Sequence, residues 1–546
     1  AAMDSENRPF GFTSFGMSDL VDRLDADGNE GTDTLIDVEA MHFGDGTELT
    51  VTVSDSGEYR VNTYTSAHQY YPEIAGYGES NYVVTWYDED RGSGDVYGRH
   101  FNTIGDPIGE EFKINTYTSS TQAYPKVTSL DDGGYVVTWH SSGQDGSQYG
   151  VYAQRYDAAG SVVGGEFQVN ATTSDDQYYP SIASLDDGGF VVTWRDDNGA
   201  TDSRGGSGID VFGQRFDANS DKVGDEFLIN ADADTGSQYE PSVAGLGNGN
   251  FVVTWRDQSG NSGSRGGSSW DVFGKIFTTK DGSTPVDTPV TKVDEFLVNT
   301  FTTEYQYDPS VAGLTGGGFV VTWRSERQDG DSNDYYNVYG QRFNADGTPH
   351  TDGEFLVNTY TSGQQYEPSV TGLNNGGFVV VWRDDSGSSG SRGGSSTDVF
   401  GQAYDANGNT VGGEFLVNET TYQTQYDPQV TALEDGGFAV SWSSNYQDEP
   451  QNSNYGVFTR RFDNDGTPAS AAKLTGGVAD DIVVLANGQI GVNVDLGAGS
   501  DSLTLGDDRD TLTVANVETI DLGGGDSVTL IGVDSSNFHN DDFDFA

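Results

Sequence analysis

The chain has 546 residues, 86 acidic against 26 basic side chains, a formal charge of -60 and no cysteine. That charge excludes nucleic acid and anionic membranes as natural partners, since both bind through basic patches, and it favours multivalent cations or a saline medium. No disulfide framework can form, and no run of about 18 apolar residues is present to insert into a membrane.

The N-terminal segment, residues 1–57, is acidic, and its start "AAMDSENRPF" lacks the basic and apolar regions of a Sec-type leader. Its stretch "DADGNEGTD" sets Asp25, Asp27, Asn29 and Asp33 at positions one, three, five and nine of a tight loop. Hard oxygen ligands at alternate positions converge on one calcium ion; a plain turn is the alternative.

From Glu58 onward the chain repeats itself. The motif Glu-aromatic-x-(Val/Ile)-Asn begins at Glu58, Glu111, Glu166, Glu226, Glu295, Glu354 and Glu414. A Trp closes an apolar run at Trp86, Trp139, Trp194, Trp255, Trp323, Trp382 and Trp442. A Gln stands three residues before a Pro seven times, from Gln69/Pro72 to Gln425/Pro428. Three markers thus count seven copies, at a spacing suited to propeller blades. Within a copy, "PSVTGL", "FVVVW", "DVFGQAYD" and "TVGGEFLVN" read as four strands joined by Gly-rich and Asn-Gly turns. The expected fold is all-β, a seven-bladed β-propeller over residues 58–470. The Pro strand is innermost and the "EFLVN" strand outermost. The first "EYRVN" (Glu58 to Asn62) precedes any inner strand, so it should close the ring as the outer strand of the last blade; "AKLTG" near Lys473 competes for that place.

The Trp residues should pack between blades, with sugar stacking as the alternative, and the Gln-x-x-Pro unit should hydrogen-bond the neighbouring crossover. The crossover and the loop after each Trp lie on one face, the candidate binding face. In those loops "DGDSND" offers Asp329, Asp331 and Asn333 as a second calcium candidate. "SRGGS" occurs three times there, with Arg204, Arg265 and Arg392, while Arg195, Arg256, Arg324 and Arg383 directly follow their Trp. These guanidinium groups either pair with local acids or form forks for carboxylated or sulfated glycans, with Arg195, Arg204, Arg256, Arg265, Arg383 and Arg392 as candidate ligand contacts. The six histidines are scattered, with no zinc-type pair, no nucleophile elbow and no phosphate loop. Nothing selects a catalytic carboxylate among the 86 acids.

Residues 471–546 differ in composition. "LGAGSDSLTLGDDRDTLT" spaces Asp501 and Asp510, and Leu503 and Leu512, nine apart. This resembles the glycine-rich nonapeptide of RTX (haemolysin-type) calcium-binding proteins, and "GGVADDIVV" resembles a degraded further copy. The resemblance implies an RTX-like β-roll segment holding Ca2+ through loop aspartates and carbonyls, here Gly499, Asp501, Asp508 and Asp510. "GTDTLIDVEAMHFGDGTEL" (Gly31 to Leu49) and the segment from Arg509 to Leu530 look like the parts that close such rolls, and the tail "NDDFDFA" is similar to a type I secretion signal. An extracellular or cell-surface location follows from the resemblance.

Two functions fit this reading. The first is a non-enzymatic, calcium-binding surface-layer protein that assembles with itself head to tail, the N-terminal segment of one subunit docking on the C-terminal segment of the next. The second is a calcium-dependent adhesin or lectin-like module that binds extracellular glycans. A propeller hydrolase or lyase ranks third.

Overall fold

Runs such as "FVVTW" (Phe190–Trp194) consist of aromatic and β-branched residues, four of the five apolar, the pattern of a strand covered on both faces. In the computed structural model each such run is the second strand of a four-stranded antiparallel sheet, and seven of these sheets are present. The structure describes most of residues 57–475, apart from short loops, chiefly 198–207, 231–235, 259–269, 331–335, 387–396 and 448–453; outside that span it describes only the backbone of short strands. Among the described residues no helix is long and apolar enough to cross a membrane.

Blade 1 comprises Gln69–Tyr77, Asn81–Asp88, Asp95–Phe101 and Pro107–Lys113, in that order from the inner to the outer edge. Blades 2 to 6 repeat the arrangement, with inner strands Gln122–Ser129, Asp176–Ser184, Gln238–Gly247, Gln306–Gly313 and Gln365–Gly372. Blade 7 supplies three strands in sequence, Gln425–Ala432, Phe438–Asn445 and Tyr455–Phe462. Its fourth is Tyr59–Arg60, which pairs with Thr459 and Phe458. The ring therefore closes with the strand that the repeat count assigned to closure. Val61 N donates to Val457 O at 2.7 Å, Val457 N donates to Asn62 Oδ1 at 2.8 Å, and Glu419 N donates to Glu58 Oε2 at 2.8 Å. Closure removes the open sheet edge.

The repeated residues are the fabric of the ring. All seven repeat Trp side chains are fully buried. Each packs between blades: Trp255 of blade 4 lies among Ala183, Leu185 and Val191 of blade 3. Such a Trp cannot stack on a sugar. Asn170, at the end of its motif, accepts from Val151 N at 2.8 Å and donates to Gln177 Oε1 of the next blade at 3.1 Å. Glu166 accepts from Thr116 N in the preceding crossover at 2.6 Å. These contacts satisfy backbone groups that the ring would otherwise bury unpaired.

A second compact unit draws on both ends of the chain, with the propeller spanning Glu58–Thr467. The expected separate segments 1–57 and 471–546 thus contribute to one unit. Glu48–Asp55 pairs antiparallel with Ser470–Thr475 of the same chain. That strand, the "AKLTG" competitor, therefore takes no part in ring closure. Parallel ladders follow, with Ala472 opposite Val492, Val492 opposite Leu512 and Leu512 opposite Val528. A second ladder sets Ile482 opposite Ser502 and Ser502 opposite Thr519.

Candidate active site

The seven inner strands surround a central channel with a cavity of about 730 Å³. Its inner wall is tight: a Cβ on Gly313 would collide with the carbonyl oxygen of Gly245, and one on Gly372 with that of Gly313. Only glycine lets the strands approach so closely.

At the loop-face end of every inner strand the ladder slips, as between Tyr366 and Ser369 in blade 6. The residue just before the repeat Pro takes a positive φ in all seven blades: Tyr71, Tyr124, Tyr179, Glu240, Asp308, Glu367 and Asp427, between 48° and 55°. A non-glycine residue rarely adopts this conformation, and one preceding proline is further restricted. A bulge of this kind re-aims a side chain. Because it occurs in every blade it is part of the architecture, and it sets one side chain per blade around the channel mouth. Blades 1 to 3 contribute phenols and blades 4 to 7 contribute carboxylates.

The residue after each Trp decides what those carboxylates meet. Arg256 Nη2 lies 3.2 Å from Glu240 Oε1, Arg324 Nε 3.1 Å from Asp308 Oδ2, and Arg383 Nη1 3.1 Å from Glu367 Oε1. The guanidinium groups also stack on tyrosines of their own and the next blade; Arg383 is 5.1 Å from the centre of Tyr366 and 4.4 Å from that of Tyr426. In blade 7 the equivalent residue is the buried Ser443, and among the described residues no cation lies within ion-pairing distance of Asp427. Burial, followed by the neighbouring charge of Glu367, pushes the Asp427 carboxyl up to about 7, and Arg383 and Lys126 only partly offset this. Glu367 accepts from Asp427 N at 3.0 Å as well as from Arg383.

One step into the channel, just after Pro, blades 3 to 6 carry Ser181, Ser242, Ser310 and Ser369, whose hydroxyls cap backbone N–H groups of the next blade. Blades 1 and 2 carry Glu73 and Lys126 instead, which form an ion pair. Burial raises the Glu73 carboxyl and the Lys126 charge opposes that shift. The repeat's chemistry therefore breaks at blades 7, 1 and 2, bringing Asp427, Glu73 and Lys126 to one side of the channel beside Tyr71 and Tyr124. His140, which packs on Tyr124 with ring centres 5.1 Å apart, is driven down to about 3 by burial and is a neutral packing residue.

Of the residues expected to bind ligand, Arg195, Arg256 and Arg383 are held by local partners, Arg195 by Asp197 at 3.4 Å and by the Tyr239 ring. That is the pairing alternative, and it corrects the expectation of free guanidinium forks at these positions. Arg204, Arg265 and Arg392 lie outside the described residues. So do the calcium candidates Asp25, Asp27, Asn29, Asp33, Asp331, Asn333, Gly499, Asp501, Asp508 and Asp510. Asp329 accepts from Asn337 Nδ2 at 3.1 Å. The carboxylate ring was missed. Aligning the seven copies on Pro would have exposed the Tyr, Tyr, Tyr, Glu, Asp, Glu, Asp series and the missing Arg of blade 7.

No family model and no curated protein matches the sequence. Among solved structures the chain is similar to an α-L-arabinanase of Penicillium chrysogenum complexed with arabinobiose (13% identity, 75% of this chain and 98% of that one, TM-score 0.41). It is also similar to the α-L-arabinofuranosidase Arb93A of Fusarium graminearum (11%, 74% and 97%, TM-score 0.42) and to the polysaccharide lyase Uly1 (10%, 75% and 99%, TM-score 0.44). All three are named as carbohydrate-processing enzymes, whereas the sequence reading expected a self-assembling surface-layer protein without enzymatic activity. Likenesses of this strength do not say what this chain acts on.

Proposed function

We propose that the propeller is an enzyme that hydrolyses a glycosidic bond at the channel mouth, with Asp427 as general acid and Glu367 as the partner carboxylate. The observation that carries this reading is the half-buried Asp427 beside Glu367, without an ion-pair partner among the described residues. Glycoside hydrolysis needs one carboxyl group that still holds its proton near neutral pH, to protonate the leaving oxygen, and a second that attacks the sugar or activates water. Asp427 meets the first requirement through burial and the charge of Glu367. Elimination by a tyrosine base is less well supported, because burial raises the phenols of Tyr71 and Tyr124 and keeps them protonated, so that little phenolate is present to act as base. The test is release of reducing ends from a panel of purified polysaccharides, with Asp427→Asn and Glu367→Gln as the variants that must abolish it.

For the second unit we infer a calcium-binding roll of the RTX-like type, in an extracellular protein exported by the type I route. In support, the parallel ladders advance by about two nonapeptides per turn. Five of their six later strands directly follow an acidic residue: Asp481, Asp501, Asp510, Glu518 and Asp526. Carboxylates at strand starts in a chain of charge -60 suit a hard cation, which would lower their mutual repulsion and add to folding free energy.

A further inference from the structure

We infer that the substrate of the channel mouth is a neutral glycan, with one sugar ring lying on the tyrosines of blades 2 and 3 opposite the carboxylates; this rests on the hydrolytic reading. The aromatic half of the mouth is continuous. Tyr71 and Tyr124 stack with ring centres 4.1 Å apart and their hydroxyls 2.9 Å apart. Tyr179 meets Tyr124 edge-on at 4.7 Å and remains 38% exposed. Rings braced in this way lose little entropy on meeting a ligand. They offer an apolar surface for the C–H face of a sugar, and the carboxylates across the mouth accept hydrogen bonds from its hydroxyl edge.

The charges argue against an anionic substrate. Lys126 is committed to Glu73, Arg256 to Glu240, Arg324 to Asp308 and Arg383 to Glu367. A carboxylated or sulfated sugar would find no uncommitted cation among the described residues of the mouth. It would have to displace one of these pairs, leaving a half-buried carboxylate without its partner. It would also approach a chain of charge -60, which repels polyanions at long range. Specificity built in this way works by rejection as much as by contact.

The test is calorimetric binding to the full-length Asp427→Asn variant, which removes turnover from the measurement. The probes are arabinohexaose, xylohexaose, cellohexaose, mannohexaose and hexagalacturonate. The inference expects at least one neutral hexasaccharide to bind at least tenfold more tightly than hexagalacturonate. In the same background Tyr179→Glu should weaken that binding at least tenfold, while Tyr179→Phe retains it. Glutamate occupies the equivalent place in blades 4 and 6, so the repeat itself shows that Tyr179→Glu is compatible with the fold; unchanged thermal melting checks this. Tighter binding of hexagalacturonate, no binding of any neutral probe, or full affinity in Tyr179→Glu each overturns the inference. If a neutral probe binds as expected but the wild type cleaves no glycan, the hydrolytic reading fails while the neutral-glycan site stands.

Discussion

Arg383 Nη1 lies 3.1 Å from Glu367 Oε1, the last of three equivalent pairs that run through blades 4, 5 and 6. The series stops at blade 7, where Asp427 occupies the acid's place and Ser443 the arginine's. In a ring of near-identical units, blade 7 is the one whose ring carboxyl has no ion-pair partner among the described residues, and burial and the Glu367 charge push it up to about 7; burial and Asp308 also raise Glu240, against the opposing charge of Arg256.

Restoring the partner should therefore switch the group off. Blade 5 already holds both Arg324 and a tyrosine, Tyr336, at the places of Ser443 and Tyr455, so Ser443→Arg has a precedent in the same molecule. A guanidinium group beside Asp427 favours the ionised form. The alkaline limb of the kcat/KM profile should move down by about one pH unit or more, and activity at pH 7 should fall about fivefold or more. An unmoved limb would disprove the pairing argument.

The same carboxyl group sets a pH dependence of stability. Its folded value, about 7, lies above the ordinary aspartate range, so its contribution is fully present below about pH 4 and is lost as pH rises through 7. Asp427→Asn should flatten that decline and raise the melting temperature at pH 8. The gain should be at most a few kcal/mol, reduced by solvent at the open mouth.

The closure strand makes a third test. Asn62→Ala removes the acceptor of Val457 N and a bond to Gln69, which should cost about 1–3 kcal/mol in urea unfolding. Asn418→Ala breaks the equivalent bond, to Val399 N, inside an unbroken stretch of chain and should cost about the same. Only the Asn62 variant should self-associate with rising concentration, because only it frees the edge of blade 7.

Calcium chelation addresses the terminal unit. A roll that gains folding free energy from calcium should melt several degrees lower in chelator, since a ligand that binds the folded state alone stabilises it by mass action. Asp501→Ala should shrink that difference. Superimposable melting curves with and without calcium would remove calcium from the account.

Much of the propeller was legible because its repeats are written in residues with fixed structural duties. The buried Trp, the Asn that bridges blades and the Gln before Pro recur in register, and counting them gives seven blades and places Glu58–Asn62 at the closure. The candidate site was not legible in that way. Its residues are not a motif but departures from one, visible only when Asp427 is compared with Glu367 and Ser443 with Arg383. The approach of Glu73 to Asp427 depends on ring closure, which brings blade 7 beside blade 1 although the two residues lie far apart in sequence. The backbone strain before each Pro was hidden for a related reason. A Tyr, Glu or Asp before proline normally reads as extended chain, and only the narrow inner strand imposes the bulge.

The central claim is that Asp427 and Glu367 cleave glycosidic bonds. It is tested most directly by incubating the calcium-loaded full-length protein with linear arabinan, xylan, β-glucan and mannan at pH 6 and measuring reducing ends against Asp427→Asn and Glu367→Gln at matched melting temperature. The account predicts new reducing ends from at least one polysaccharide with the wild type, and a loss of at least a hundredfold in both variants. Equal release by wild type and Asp427→Asn, or no release from any glycan, would contradict it.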